Sequence, residues 1–266
     1  RGPDARAVRG ARMKLAYRLD GAPEQPLLVL SGALGTTTAL WDSQIHVLAA
    51  GRRVLRHDLP GHGESPPASG PVTVDMIGRA LLSLLDGIGI ERFSFCGLSL
   101  GGMVGMWLGA EAPERVERLV LACTGASLGT PQMYAERAAA VRERGTADTV
   151  DGARERWFTP AFRDSPEAQR ILDELRTTPA EGYAACCEAV GAFDFHARLE
   201  EIVPPTLVIY GEQDAVATAA VADELAGGIS SAQRVGISHA AHLANVEQPE
   251  TFAEAVLSHV ASRASV

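Results

Sequence analysis

The chain has 266 residues, of which 46% are hydrophobic and 21% charged, and its formal net charge is −9 at pH 7. This apolar content excludes a disordered chain, and the length is enough to bury a large core in one or two domains. No apolar run reaches the roughly 18 residues of a membrane helix, and an acidic chain without basic blocks is a poor partner for nucleic acid or a membrane surface.

The first segment, residues 1–12, carries four Arg and no apolar stretch, so we do not expect a secretory signal peptide. We expect these residues to be an N-terminal extension or a cloning remnant, with the folded part beginning at Met13. The four cysteines include no Cys-x-x-Cys pair, and the neighbours Cys186 and Cys187 could bridge each other only with severe strain. The absence of a disulfide framework and of a leader predicts a cytoplasmic protein.

From Met13 onward, short apolar runs alternate with helical patterns, which is typical of a mostly parallel sheet covered by helices. The runs PLLVLSG, RLVLACTG and TLVIYG are almost entirely apolar, as expected of strands buried on both faces. We predict strands at Leu27–Ser31, Arg53–His57, Arg92–Cys96, Arg118–Cys123, Thr206–Tyr210 and Gln233–Ile237. We predict helices at Val74–Asp86, Leu100–Glu111, Val216–Ala226 and Pro249–Ser262. The order of these elements predicts an α/β protein.

The alternation stops between about Leu128 and His196, where no strand pattern occurs and Arg, Glu and Ala are frequent. We predict three or four helices there, inserted between two core strands. Residues 128–196, called the cap segment below, would then cover a core made of residues 13–127 and 197–266. An insertion at this place lies over the carboxyl ends of the strands, where open α/β sheets bind ligands.

The pattern GLSLG at residues 97–101 stands between a predicted strand and a predicted helix. A serine on such a tight turn exposes its hydroxyl, and the flanking glycines permit the strained backbone and close packing. We therefore predict that Ser99 is a catalytic nucleophile rather than an incidental serine in a glycine-rich turn. The backbone N–H groups of Leu100 and of Ala33, in the glycine-rich loop after the first predicted strand, are expected to form the oxyanion hole.

A serine nucleophile needs a base, and the base needs a carboxylate that orients it. On this type of turn the chain order is Ser, then Asp or Glu, then His. Asp214 follows a predicted strand and is our candidate acid, although an Asp that caps the next helix would look the same. His239 and His242 follow the last predicted strand, and we predict His242 as the base and His239 as a loop neighbour. We expect no metal, because two loop histidines without a nearby third ligand make a poor site.

Three segments, HDLPGHGES, FCGLSLGGMVGMWLGAEAPERVERLVLA and HAAHLANVEQPETF, resemble the α/β-hydrolase superfamily. The resemblance covers nearly the whole chain from Met13 and implies that fold, with an inserted helical cap. Within the superfamily, LGTTTALWDSQ, FCGLSLGGMVG, RWFTPAF and TPAEGYAACCEAV resemble 3-oxoadipate enol-lactonases of the β-ketoadipate pathway for aromatic degradation. The resemblance implies Ser99 as nucleophile, Asp214 as orienting acid and His242 as base.

The same resemblance implies that two residues of the cap segment, Arg137 and Tyr134, face the substrate. Tyr134 stands where the family usually has a tryptophan, and Ser31 stands where the superfamily commonly has a histidine. A guanidinium suits a carboxylate, so Arg137 is expected to clamp the substrate, with a solvated arginine paired to a nearby Glu as the alternative. Trp157 is expected to line the pocket, or else to pack the cap segment on the core.

We therefore expect hydrolysis of a small carboxylated enol-lactone through an acyl-enzyme, with no metal or organic cofactor. The same triad would also serve an esterase or lactonase for another small or natural-product ester, or a hydrolase of carbon–carbon bonds. Ser99 excludes the related dehalogenases and epoxide hydrolases that use an aspartate nucleophile. An alternative of a different class is a non-catalytic binding protein with a hydrolase-like fold.

Overall fold

A computed structural model describes residues 13–230 and 232–261 of the chain. The strands are β1 Tyr17–Asp20, β2 Leu27–Ser31, β3 Arg53–His57, β4 Phe93–Leu98, β5 Val116–Ala122, β6 Thr206–Gly211 and β7 Ala232–Ile237. The helices before β5 are α1 Asp42–Leu48, α2 Val74–Gly87 and α3 Leu100–Glu111. Four helices follow β5, namely α4 Pro131–Arg144, α5 Val150–Trp157, α6 Pro166–Thr177 and α7 Ala180–Gly191. The last helices are α8 Ala219–Gly228, α9 Ala244–Glu247 and α10 Pro249–Ala261.

The described residues form one sheet of seven strands in the order β1-β3-β2-β4-β5-β6-β7. β1 runs antiparallel to β3, and every other pair of neighbours is parallel. α3 packs on β4 and β5 and against α2, whereas α10 packs on β5 and β7 and against α1. The predicted mostly parallel sheet flanked by helices is confirmed. Among the described helices, none is long and apolar enough to cross a membrane.

Three elements, β1, α1 and α9, were not predicted from the sequence. β1 is an edge strand with three exposed residues of its four, so it lacks the apolar run that marks the central strands. α1 has seven residues and α9 has four, too few for a clear helical period. The six strands that we predicted make up the rest of the sheet.

Several predicted boundaries were wrong by a few residues. β4 continues to Leu98, two residues past the predicted end, because it stays paired with β5 up to the turn. α8 begins at Ala219 rather than Val216, because the N–H groups of Val216 and Ala217 donate to the Asp214 carboxylate instead of entering a helix. The predicted end of the last helix, Ser262, lies outside the described residues.

His57, at the end of β3, is fully buried, and burial lowers its pKa to about 4. Its Nδ1 lies 3.3 Å from the Asp58 carbonyl oxygen, whereas its Nε2 has no partner among the described residues. The unfolded chain takes up a proton on this side chain below about pH 6.5, and the folded protein does so only near pH 4. The free energy of unfolding therefore falls as the pH drops through this window.

We expect this one histidine to cost about 2 kcal/mol of stability between pH 7 and pH 5. Urea unfolding of the wild type and of His57→Gln at both pH values measures the contribution, since the variant should lose less stability on acidification. His46→Gln, which changes an exposed histidine of α1, is the matched control and should behave as the wild type does. Equal acid sensitivity of His57→Gln and the wild type would contradict the prediction.

Candidate active site

Ser99 alone forms the turn between β4 and α3. Its backbone has φ 57° and ψ −114°, in the left-handed half of the map that residues other than glycine rarely adopt. Neighbours on β5 and beyond hold this strained backbone: the Ser99 N–H donates to the Ala122 carbonyl at 2.9 Å, and the Thr124 hydroxyl donates to the Ser99 carbonyl at 2.8 Å. Such over-determined strain is characteristic of functional sites.

The two glycines of the GLSLG pattern are required by close approach of the backbone. A Cβ atom on Gly97 would lie 2.1 Å from the Gly101 carbonyl oxygen, and one on Gly101 would lie 2.2 Å from the Ser31 carbonyl oxygen. The close approach lets the Gly101 N–H donate to the Gly32 carbonyl at 3.1 Å. The start of α3 is thereby tied to the loop that follows β2.

That hydrogen bond places the two predicted oxyanion donors side by side, because Leu100 precedes Gly101 and Ala33 follows Gly32. Leu100 is the first residue of α3, so its N–H has no acceptor within the helix. The Ala33 carbonyl accepts the N–H of Thr36, which closes a tight turn and fixes the loop. Ala33 also lines the cavity described below.

Three side chains from the ends of three parallel strands meet in one chain of hydrogen bonds. The Ser99 Oγ lies 3.0 Å from His242 Nε2, and His242 Nδ1 lies 2.8 Å from Asp214 Oδ2. All three residues are buried. Ser99 follows β4, Asp214 follows β6 and His242 follows β7, so the sheet itself brings together positions that are up to 143 residues apart.

The Asp214 carboxylate is fully satisfied by protein donors. Its Oδ1 accepts the backbone N–H groups of Val216 at 2.7 Å and Ala217 at 3.0 Å, and its Oδ2 faces His242. Burial alone would raise the pKa of Asp214, but the His242 ring and the two N–H donors outweigh burial and hold that pKa below its usual range. Asp214 is therefore an anion that can orient His242 with its N–H on Nδ1 and leave Nε2 free to accept a proton.

A cavity of about 240 Å³ opens beside Ser99 and His242. The three predicted substrate-binding residues, Tyr134, Arg137 and Trp157, all line it. The remaining lining residues are Ala33, Leu34, Gly129, Met133, Arg156, Tyr183, Val190, Ala215 and Val216. Half of the lining residues lie on α4, α5 and α7, so the cap segment forms one side of the cavity and the loops after the strand ends form the other.

The lining contains two cationic side chains on neighbouring helices. The Arg137 guanidinium lies 5.0 Å from the centre of the Tyr134 ring, which is a cation–π distance. Arg156 opens the RWFTPAF segment, but no role was assigned to it from the sequence. Burial lowers the pKa of Arg156, and the charge of Arg137 lowers it further.

Glu247 is a second residue that the sequence did not reveal. Its buried carboxylate accepts the N–H of Ala241 at 2.9 Å and the hydroxyl of Thr159 at 2.6 Å. A further bond joins the same two segments, from the Leu243 N–H to the Trp157 carbonyl at 3.0 Å. Hydrogen bonds therefore connect the loop that carries His242 to the end of α5, where Trp157 lies.

His239, the other histidine of this loop, is exposed and adopts a φ of 57°. It is not part of the hydrogen-bond chain and lines a separate depression with Gln213 and Gln248. Over residues 13–230 and 232–261, no group of three or more His, Cys, Asp or Glu side chains is placed to hold a metal ion.

Comparison with known proteins gives a consistent result. Residues 25–249 match the family model described as the alpha/beta hydrolase fold. The 3-oxoadipate enol-lactonase 2 of Acinetobacter baylyi is 39% identical over 91% of each chain. Among solved structures, the enol-lactonase from Burkholderia xenovorans superposes with a TM-score of 0.91 at 36% identity, covering 95% of this chain and all of that one. A hydrolase from Pseudomonas aeruginosa gives 0.90 at 45% identity, over 93% of this chain and 94% of that chain.

Proposed function

The chain belongs to the α/β-hydrolase fold family, and from this premise we propose that it opens a small carboxylated enol-lactone, 3-oxoadipate enol-lactone, through an acyl-enzyme. It is an enzyme of the ester or lactone hydrolase class. The observation that carries the finer proposal is the hydrogen-bond chain from Asp214 through His242 to Ser99, which opens into a cavity that also holds Arg137. We further propose that residues 128–196 act as a cap over the core.

In the first half of the reaction, His242 Nε2 accepts the proton of the Ser99 hydroxyl as its Oγ attacks the lactone carbonyl carbon. The N–H groups of Ala33 and Leu100 donate to the oxyanion that forms on the carbonyl oxygen. One such donor is worth about 3 kcal/mol in the transition state. Asp214 stabilises the imidazolium that His242 becomes at this point.

The tetrahedral intermediate then breaks the bond between the former carbonyl carbon and the ring oxygen. The ring oxygen leaves as an enol, takes the proton from His242 and tautomerises to a ketone. The acyl group remains on Ser99 until a water molecule attacks the ester carbon and gives a proton to His242. The bond between that carbon and Ser99 Oγ then breaks, His242 returns the proton to Oγ, and the carboxylic acid is released. His242 accepts one proton in each half-reaction and returns it before that half-reaction ends. The enzyme is therefore unchanged after one turnover.

The cavity fits a substrate of this class in size and charge. Its volume of about 240 Å³ is below the range of drug-sized pockets, which favours a single small ring. Tyr134, Trp157 and Val190 offer apolar surface to that ring, and the Arg137 guanidinium offers a partner for its carboxylate.

The test is to follow the ultraviolet absorbance of 3-oxoadipate enol-lactone with the purified protein. We expect its rapid loss, at a kcat/KM well above that for a neutral aryl ester such as 4-nitrophenyl acetate. No loss of the lactone, with the aryl ester still hydrolysed, would reject this substrate and favour the esterase alternative. No hydrolysis of either compound would favour the non-catalytic binding protein.

A further inference from the structure

We propose that Arg156 is a second carboxylate-binding residue, which holds the carboxylate of the substrate together with Arg137 and makes the enzyme selective for anionic over neutral esters. The inference rests on the proposed function in that it assigns a substrate class to the same cavity. It extends that proposal because neither the sequence patterns nor the likeness to enol-lactonases assigns a role to Arg156.

The first support is the ion pairing of arginines in the cap segment, all of which the structure describes. Of the eight arginines there, six form an ion pair with an Asp or Glu: Arg142, Arg144, Arg154, Arg163, Arg170 and Arg176. Arg137 and Arg156 form none within the described ranges. These two are also the arginines that line the cavity. Although the chain has a net charge of −9, its acidic side chains pair with the arginines outside the cavity. Arg137 and Arg156 therefore remain available to bind an anionic ligand.

The second support is the electrostatic balance of the cavity wall. Arg137 and Arg156 are close enough for the charge of one to lower the pKa of the other. The neighbouring phenols of Tyr134 and Tyr183 supply no negative charge, because burial raises the pKa of both and keeps them neutral. Two partly buried like charges without a counter-charge are unfavourable. An anionic ligand between them relieves that repulsion.

The third support is the position of Arg156 relative to the reacting groups. Arg156 directly precedes Trp157, whose carbonyl accepts the Leu243 N–H at 3.0 Å. Leu243 directly follows His242. The backbone of α5 at Arg156 is therefore linked to the loop that carries His242, whereas Arg137 stands on α4. A carboxylate bound by both would have its position set from two helices, which orients the lactone carbonyl towards Ser99.

Guanidinium and carboxylate match in geometry, and a carboxylate has two oxygens that two guanidinium groups can share. The ligand class that this site selects is a small ester or lactone that carries one free carboxylate near the scissile group. A neutral ester of the same size would leave both arginines without a counter-charge and is expected to be a poorer substrate.

The experiment compares a matched pair of aryl esters, the half-ester of adipic acid with 4-nitrophenol and the neutral 4-nitrophenyl hexanoate. For Arg156→Gln we expect the ratio of kcat/KM values, anionic over neutral, to fall about tenfold or more, mainly through KM. Arg137→Gln should lower the same ratio, and Arg156→Lys should recover part of it. Inhibition by free adipate should weaken in parallel, which measures binding without turnover.

Arg154→Gln is the control, because Arg154 lies two residues earlier on α5 and pairs with Asp164 outside the cavity. Its ratio should stay within about twofold of the wild type, and circular dichroism should show that all variants are folded. An unchanged ratio in Arg156→Gln would overturn the inference. If the enol-lactone is not a substrate but the preference for the anionic aryl ester persists and depends on Arg156, the inference stands and only the proposed substrate fails.

Discussion

Ser99→Ala is expected to lower kcat by about 10⁴-fold or more, since removing the nucleophile of a Ser-His-Asp triad leaves only the oxyanion hole and substrate binding. The substitution removes a single oxygen atom and keeps a Cβ in the same turn, so the strained backbone should stay in place. The measurement is the rate of ester or lactone hydrolysis under saturating substrate. Labelling by a fluorophosphonate probe, read as a mass increase on Ser99, should be present in the wild type and absent in the variant.

Ser94→Ala provides a matched control for this experiment. Ser94 lies on the same strand, is also buried, and its hydroxyl has no hydrogen-bond partner among the described residues. It lies on the sheet away from His242, so its variant should keep activity and probe labelling. Wild-type turnover in Ser99→Ala would reject the acyl-enzyme mechanism, whatever the substrate.

The central part of the fold is predictable from sequence because its strands are buried on both faces. β2, β4 and β6 are short runs of apolar residues bounded by Gly, Pro or polar residues, and such runs are typical of the central strands of an α/β protein. The edge strand β1 carries no such signal, because its side chains face solvent. β1 is stabilised by its pairing with β3, which joins residues that are far apart in the sequence. Such a pairing cannot be predicted from a local hydrophobic pattern.

The candidate triad is predictable for a related reason. The GLSLG pattern is local, and the close contacts of Gly97 and Gly101 explain why only glycine fits there. Asp214 and His242 each follow a recognisable strand, and in a parallel sheet all strand ends lie at one edge. The sequence predicted His242 as the base and His239 as a loop neighbour, and the structure places His242, not His239, beside Ser99.

The substrate side of the site was less accessible to sequence reasoning. Tyr134 and Arg137 were proposed from resemblance and Trp157 from its place in the cap segment, and all three line the cavity. Arg156 was missed because what distinguishes it is that no Asp or Glu among the described residues pairs with it, and ion pairing depends on how the helices pack. Glu247 was missed because it acts through two backbone segments, at Thr159 and Ala241, that are far apart in sequence.

Asp214→Asn is expected to lower kcat by about 10³- to 10⁴-fold while leaving the fold intact. The reason lies in the two backbone donors on Oδ1, the N–H groups of Val216 and Ala217. These donors require an acceptor, so the amide oxygen of Asn must occupy the Oδ1 position. The NH₂ group then faces His242 and donates to Nδ1, which forces the ring proton onto Nε2. In that tautomer His242 cannot accept the proton of Ser99.

The measurement is kcat at neutral pH together with the rate of fluorophosphonate labelling, which should fall in parallel because in both reactions Ser99 gives its proton to His242 as its Oγ attacks. Asp223→Asn is the matched control: Asp223 is half-exposed on α8, pairs with Arg234 and should keep wild-type activity. Because the amide replaces the carboxylate almost isosterically, urea unfolding should show only a small loss of stability. A kcat within about tenfold of the wild type would mean that Asp214 serves the loop at Val216 and Ala217 rather than His242.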